Sequence, residues 1–388
     1  MKRIYLDYNA TTPVDPAVLE EAIKILRDFP GNPSSVYEEG RRSRVLIEDS
    51  RDFIKSFLRA GPGDELIFTS GGSESINLAI VGAVHANARL KNNKKPHIIT
   101  STVEHPAVLN TFKFLEYEGA ETSYIGVDGS GKLDIGGLVS AIKDNTILVS
   151  VMGANNETGT IFPLKQILNA VKARKEDIIF HSDLVQLIGK SPFSLREVPL
   201  DLCGFSGHKF YALKGCGGLY IKKGIKIDPI INGGHQERGL RAGTENIAGI
   251  ASMAKALEIF KNVMKEEMER IEELGNAFIG GLSGIKDIKF NGNSEERLKN
   301  TVNLSIGGVK AETLLFNLDL AGIAASAGSA CNAGTISLSR VLSAHGYDRN
   351  RIESSIRFSL GRFTTMNDIK YSVSEIKKSV EKLRANTR

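Results

Sequence analysis

Cys331 stands in the run AASAGSACNAGT (residues 324–335) and is one of three cysteines in 388 residues. A stretch so poor in apolar anchors is no core segment, and a disulfide would need both a partner and an oxidising compartment. A thiol on a loop of Gly, Ala and Ser has instead the reach and access that sulfur exchange requires. Lys209, in FSGHKF, follows an apolar run of strand length and a Ser-Gly-His turn. At the carboxyl end of a strand in a doubly wound sheet it faces the crevice, where desolvation favours the nucleophilic amine that forms Schiff bases. Alone, a lysine after a strand is more often a surface residue, so its neighbours must decide.

Those neighbours are chemically consistent. In FHSDLVQLIGK, Asp183 and Gln186 follow another apolar run. A carboxylate there can hold the proton of a pyridine nitrogen and keep the ring an electron sink, or it can simply cap a helix. FTSGGSES sets Ser70, Gly71, Gly72 and Ser73 between a strand and a helix, a cradle for phosphate or a plain turn. His105, in TVEHPAV, opens a helix from which an imidazole can stack on a flat ring, relay protons or serve structure only. Arg357, in SSIRFSLG, lies in an apolar strand pattern, where a guanidinium needs an anion. A substrate carboxylate and an internal acid are both open as that partner.

The elements that must position these groups read as a βαβ rhythm. Apolar runs ELIFTS, PHIIT, TILVSVMG, DIIFHSD, DLCGFSG and GGLYIKK alternate, in the earlier part, with helical patterns such as SESINLAIVGAVHANARL and PAVLNTFKFLEYEG. The pattern predicts an α/β fold with a mostly parallel sheet covered by helices on both faces. A long helical pattern beginning at or just after Thr244 links to a second unit containing IKFNG, NTVNLSIGG, AETLLFNLDL, the cysteine segment, IRFSLG and a terminal amphipathic helix. VDPAVLEEAIKIL places a proline at a first helical position, and the segment before it is expected to pack across one or both units.

Composition narrows the function classes. A hydrophobic fraction of 41% and a charged fraction of 24% are those of an ordinary globular protein. A net charge of +5 gives no basis for direct nucleic-acid binding, and no apolar run reaches the length of a membrane helix. The N-terminus turns polar after two basic residues, which points to the cytoplasm. Cysteines at 203, 216 and 331 lack metal-site spacing, so no metal is expected. The G-x-S-x-G, P-loop and H-E-x-x-H motifs do not occur.

Taken together, YLDYNATTP, GNPSS, FTSGGSESINLAI, VEHPAVL, ANNETG, HSDLVQ, FSGHK, QERGLRAGTEN, SAGSAC and SSIRFSLGRFTT resemble, in order and over nearly the whole chain, the cysteine desulfurases of the NifS/IscS group. These are pyridoxal-phosphate enzymes of the class V aminotransferase-like family. The resemblance implies the PLP-dependent transferase fold type I, with a large domain holding a mostly parallel mixed sheet between helices and a smaller α+β domain. It places an N-terminal segment at 1–15, packing with the small domain, the large domain at 16–250 and the small one, with the cysteine loop, at 251–388.

Carried onto matching residues, the resemblance makes Lys209 the Schiff-base lysine, Asp183 the partner of the pyridine nitrogen, and Gln186 a contact of the ring hydroxyl. His105 matches the stacking histidine that also handles protons, and Asn156 the asparagine on the ring's oxygen side. Gly72, Ser73, Ser206 and His208 match the phosphate cup. Thr244 matches a residue reaching the neighbouring subunit's phosphate, which implies a homodimer with shared sites. Arg357, with Asn32, matches the clamp on the substrate carboxylate, and Cys331 the nucleophile that carries the persulfide. The implied reaction converts L-cysteine to L-alanine and passes sulfur to an iron-sulfur scaffold or a tRNA-thiolation acceptor. A selenocysteine lyase, an aminotransferase of the same fold, and a non-catalytic scaffold remain alternatives. Leu184 stands where the family has Ala, Ala212-Leu213 where it has Gly-Pro, and His235 where many members have Gly.

Overall fold

The structure, a computed structural model, describes residues 3–91, 95–327 and 338–385. It opens with β1 (Ile4–Tyr5), α1 (Pro16–Asp28), α2 (Glu38–Phe57), β2 (Glu65–Thr69), α3 (Gly72–Lys91), β3 (His97–Ser101), α4 (Pro106–Tyr117) and β4 (Glu121–Ile125). There follow α5 (Ile135–Ser140), β5 (Thr146–Ser150), α6 (Leu164–Arg174), β6 (Ile179–Asp183), β7 (Leu202–Ser206) and β8 (Gly217–Ile221). Next come α7 (Ile247–Leu282), β9 (Ile288–Phe290), β10 (Thr301–Ile306), α8 (Ala311–Leu320) and β11 (Ile323–Ala324). The remainder is α9 (Arg340–Ala344), α10 (Arg349–Glu353), β12 (Ser355–Ser359) and α11 (Met366–Ala385).

Seven strands form one sheet in the order β2-β8-β7-β6-β5-β3-β4. The pairs from β7 to β4 are parallel, and β8 runs antiparallel to both its neighbours. Alternate residues of single strands enter different cores: Phe68, Ile99, Val149 and Phe205 join one cluster, while Ile67, Ile98, Leu148 and Leu202 join another. That period of two means both faces are buried, which is why these strands read as unbroken apolar runs. The sequence reading places no strand at β4. It is an edge strand with largely uncovered side chains, so the apolar run that marks its neighbours is missing.

A second sheet, β12-β10-β9, is antiparallel and carries its own core with α8, α11 and the end of α7. The 36-residue α7 serves both cores, with Met253 and Leu257 in the first and Leu274 and Phe278 in the second. The N-terminal segment also touches both. Its β1 pairs in parallel with β11, and Ile4 and Leu6 enter the second core. Farther on, the Thr12 and Asp15 N–H groups donate to the carbonyls of His208 (2.9 Å) and Tyr211 (3.0 Å) beside the large sheet. Asp15 then caps α1, accepting from the Ala17 N–H at 3.0 Å, with Pro16 at the first helical position.

Leu184 has a structural counterpart. It is fully buried in the first core, and its Cδ2 lies 2.7 Å from where a Cβ on Gly153 would stand. The larger side chain thus occupies the space that a glycine one strand away leaves open. Leu184→Ala is expected to lower the unfolding free energy by about 2–4 kcal/mol, and Gly153→Ala by about 1–3 kcal/mol through overpacking. The double variant should cost less than the sum of the two in denaturant titration. Additivity would show that the two positions do not share that space.

Candidate active site

The parallel strands deliver their carboxyl ends to one edge of the large sheet. Asp183 is the last residue of β6, a short 3₁₀ turn after β7 presents His208 and Lys209, and the turn after β3 presents Glu104 and His105. Between these ends lies a cavity of about 670 Å³ lined by Gly72, Ser73, His105, Asn156, Asp183, Gln186, Ser206, His208, Lys209 and Arg357, among others. Ten of the residues singled out from sequence therefore converge. A larger cavity, of about 890 Å³, lies between α7 and the loops at Lys190 and Arg297. Its lining shares none of those ten, so chemistry rather than volume identifies the site.

Burial sets the protonation states here. Asp183 is buried, and desolvation raises its carboxyl to about 6, opposed by the Val185 N–H on Oδ1 (2.9 Å) and by the charge of Lys209. Glu104 goes further. Desolvation first, and Asp183 as a lesser contributor, push it to about 8, although Oε1 accepts from the Ser101 hydroxyl (2.8 Å) and the Met152 N–H (2.9 Å). Its other oxygen, Oε2, is buried without a hydrogen-bond partner among the described residues. His105 is held down to about 4 by burial and then by Lys209 and Arg340. Its Nδ1 accepts from the Ala107 N–H at 3.1 Å as the cap of α4, so the neutral ring carries its proton on Nε2. His208 is likewise lowered to about 4 by burial and by the lysines around it, and shares a hydrogen bond with Thr11 Oγ1 at 3.1 Å.

Cations crowd the other side. The Lys209 Nζ donates to the carbonyls of Asn9 (2.7 Å) and Ala10 (2.8 Å). Arg357 donates through Nη2 to Asp7 Oδ1 at 2.7 Å and through Nη1 to the Asn156 carbonyl at 3.1 Å. The internal-acid partner left open by the sequence is thus present, while the guanidinium still borders the cavity. Asp7 stays above the usual carboxylate range because desolvation outweighs that ion pair. The sequence reading gives no role to Asn9, Lys190 or Glu104. Asn9 lies inside a quoted motif, but nothing in its type reveals that its carbonyl would meet Lys209. Lys190 reads as an ordinary residue beyond a strand, and Glu104 as a neighbour of His105.

Other residues named from sequence lie elsewhere. Asn32 is exposed and its Oδ1 accepts from the Ser34 N–H at 2.9 Å, away from the cavity lining. Thr244 is exposed on the loop before α7. Cys331 lies outside the described residues. Cys203 and Cys216 are buried, and burial pushes both thiols upward, so neither supplies a thiolate. Of the flanking differences, Ala212 is buried, Leu213 is half-buried and His235 is exposed; the last has no structural explanation.

The donor set fits a phosphorylated pyridine aldehyde. The 20-residue α3 begins at Gly72 and Ser73, where free N–H groups and the helix dipole favour an anion. A Cβ at Gly72 would stand 2.8 Å from Val185 Cγ2, so the backbone itself borders this space. An amine, a buried carboxyl, a neutral imidazole and this helix terminus around one cavity, on a mixed α/β sheet, define a type I pyridoxal-phosphate transferase. The chain belongs to the class-V aminotransferases, whose family model matches residues 4–371; the cofactor of this family is pyridoxal 5'-phosphate.

Relatives narrow the likeness. A protein named cysteine desulfurase IscS from Dictyoglomus turgidum is 45% identical over 386 residues, which cover 99% of this chain and 96% of that one. Another of that name from Methanosarcina thermophila is 43% identical over 383 residues, with 99% and 93% covered. A solved NifS-like protein matches with a TM-score of 0.90 at 37% identity, covering 97% of this chain and 99% of that one. A second, from Rickettsia africae, has a TM-score of 0.87 at 30% identity, with 98% and 100% covered.

The raised Glu104 carboxyl has a measurable consequence. The folded state keeps this proton between the ordinary 4.5 and about 8, where the unfolded chain releases it. Its contribution is complete below pH 4.5 and is lost as pH rises through 8. Cofactor-free Glu104→Gln is therefore expected to lose less stability than the parent between pH 5 and 8, read from denaturant midpoints. Parallel pH profiles would contradict a neutral Glu104.

Proposed function

We propose that this protein is a cysteine desulfurase, releasing L-alanine from L-cysteine while Cys331 takes the sulfur. The observation that carries this reading is positional. Lys209, Asp183 and His105 share one cavity, and both described ends of the segment containing Cys331 stand beside it. Ser326 exchanges backbone hydrogen bonds with Arg357 (2.7 and 3.1 Å), and Leu338 and Arg340 line the cavity. Cys331 is four residues beyond Ala327, a reach of up to about 14 Å.

Bound pyridoxal 5'-phosphate supplies an electron sink for the bonds at the α-carbon of an amino acid. Lys209 Nζ, which here donates to the Asn9 and Ala10 carbonyls, would hold its aldehyde and, once freed, take the α-proton. The Asp183 carboxylate would hold a proton at the ring nitrogen, and a cation there would offset the burial that raises this acid. Gly72, Ser73, Ser206 and His208 would bind the phosphate, His105 would offer its Nε2–H beside the ring, and Asn156 and Gln186 would meet its oxygen substituent. Arg357 receives the substrate carboxylate, in competition with Asp7. In the net reaction the substrate Cβ–S bond breaks and an S–S bond forms at Cys331. The carbon gains a proton, and cysteine plus enzyme thiol become alanine plus enzyme persulfide. Thr244, exposed on its loop, completes the site of a second copy in a homodimer, and the persulfide goes to a sulfur-acceptor protein that supplies iron-sulfur assembly or tRNA thiolation. Among the described residues, no helix is long and apolar enough to cross a membrane; the cytoplasm is the proposed location.

Purified protein incubated with L-cysteine and a thiol reductant is expected to release alanine and sulfide in equal amounts without a keto acid. Cys331→Ala should keep the cofactor's visible absorbance yet lose at least about three orders of magnitude in rate, and Lys209→Ala should lose the covalent attachment seen after borohydride reduction. A keto-acid requirement would identify an aminotransferase. Colourless protein unable to take up pyridoxal 5'-phosphate would leave only a scaffold. Asp183→Asn is expected to slow turnover by about 100-fold or more, through loss of a charge-assisted hydrogen bond in a buried site.

A further inference from the structure

Lys190 is half-buried next to Gln186, on the side of the larger cavity, without an acid in hydrogen-bonding contact among the described residues. Its Nζ donates to Asn9 Oδ1 at 2.9 Å and to the side-chain oxygen of Gln186, both neutral. Asp7 acts on it only through its charge, while Lys209 and Arg357 add repulsion to the desolvation that already lowers its ammonium well below the ordinary value. A partly desolvated lysine held only by neutral acceptors and repelled by two cations needs a reason.

Gln186 supplies one. Its Nε2 donates to the Asn9 carbonyl at 3.0 Å, while its oxygen accepts from Lys190. A lysine side chain donates to such an oxygen whether charged or neutral, and a backbone carbonyl only accepts. A turned amide would set oxygen against oxygen at Asn9 and, at a charged Lys190, donors against donors. Both contacts enforce one orientation, which leaves the second Nε2 hydrogen for the cavity that Gln186 lines. We propose that Lys190 is a positioning residue which, acting with Asn9, locks the Gln186 amide so that it presents an N–H donor to an oxyanion of the bound ligand. The inference rests on the pyridoxal 5'-phosphate reading, in which that oxyanion is the ring's ionised hydroxyl.

The test is the pH titration of visible absorbance in protein reconstituted with pyridoxal 5'-phosphate. Gln186→Leu removes the donor and Lys190→Met removes the clamp. Lys190→Met is expected to shift the titration midpoint in the same direction as Gln186→Leu, by about one pH unit, the scale of one charge-assisted hydrogen bond. In the Gln186→Leu background it should shift nothing further, and Lys190→Arg, which retains a donor, should return the midpoint toward the parent value. An unchanged midpoint in Lys190→Met, or an effect that adds in full to that of Gln186→Leu, overturns the proposal. A purely structural lysine would lower the melting temperature without moving the midpoint. Gln186→Glu gives an independent check, because it keeps an oxygen toward Lys190 and lacks the donor; an unmoved midpoint there also overturns it. If no variant, nor the parent, takes up the cofactor, this inference falls together with the cofactor reading. A coloured parent with a silent Lys190→Met sinks this inference alone.

Discussion

Asn9 is the point on which the site turns. Its carbonyl accepts from Lys209 and Gln186, and its side-chain oxygen from Lys190 and Asn300. Its own Nδ2 donates to the Asn156 carbonyl and Thr301 Oγ1, and its N–H donates to Ser359 Oγ. One residue, 1% exposed, thereby ties the edge of the large sheet to both long strands of the small one. Half-buried lysines need acceptors, and here Asn9 and its neighbour Ala10 supply them. The parallel pairing of β1 with β11 and the Asp15 cap of α1 hold that stretch at both ends.

Around this hub, burial rather than sequence neighbourhood assigns charge. The same desolvation that makes Glu104 a neutral acid keeps His105 and His208 as neutral rings, and Asp183 balances between states until a cation approaches. The site is therefore acidic or basic by position. Lys209 and Arg357 line the cavity with Asp183, an arrangement suited to a ligand that carries phosphate and carboxylate groups. Strong ion pairs elsewhere serve anchoring instead. Arg51 binds both oxygens of Glu237 at 2.8 Å in the interior and fixes the start of the loop that presents Thr244.

Most of the large sheet was legible because strands covered on both faces must be apolar throughout, and the helices between them must carry a stripe. Lys209, Asp183 and His105 were legible for a related reason: each directly follows such a strand or opens the next helix, and parallel strands bring their carboxyl ends to one edge. The resemblance added register, and proposed roles, that spacing alone left open. Strand β4 escaped because its side chains, at the sheet edge, are largely uncovered and so need not be apolar. Asn32 did not join the lining, since its loop lies on the surface of the chain.

The sequence by itself determined the βαβ order, the strand ends that carry chemistry, the glycine-rich helix start and the presence of a thiol in a segment without core residues. Only the tertiary structure decided that Asn9, some 200 residues before Lys209, would hold its amine, that Asp7 would reach Arg357, and that Leu184 would fill the space beside Gly153. Local patterns encode which face of an element is dry. They do not encode which distant carbonyl or carboxylate will meet a buried cation, because that is fixed by how the layers close over one another.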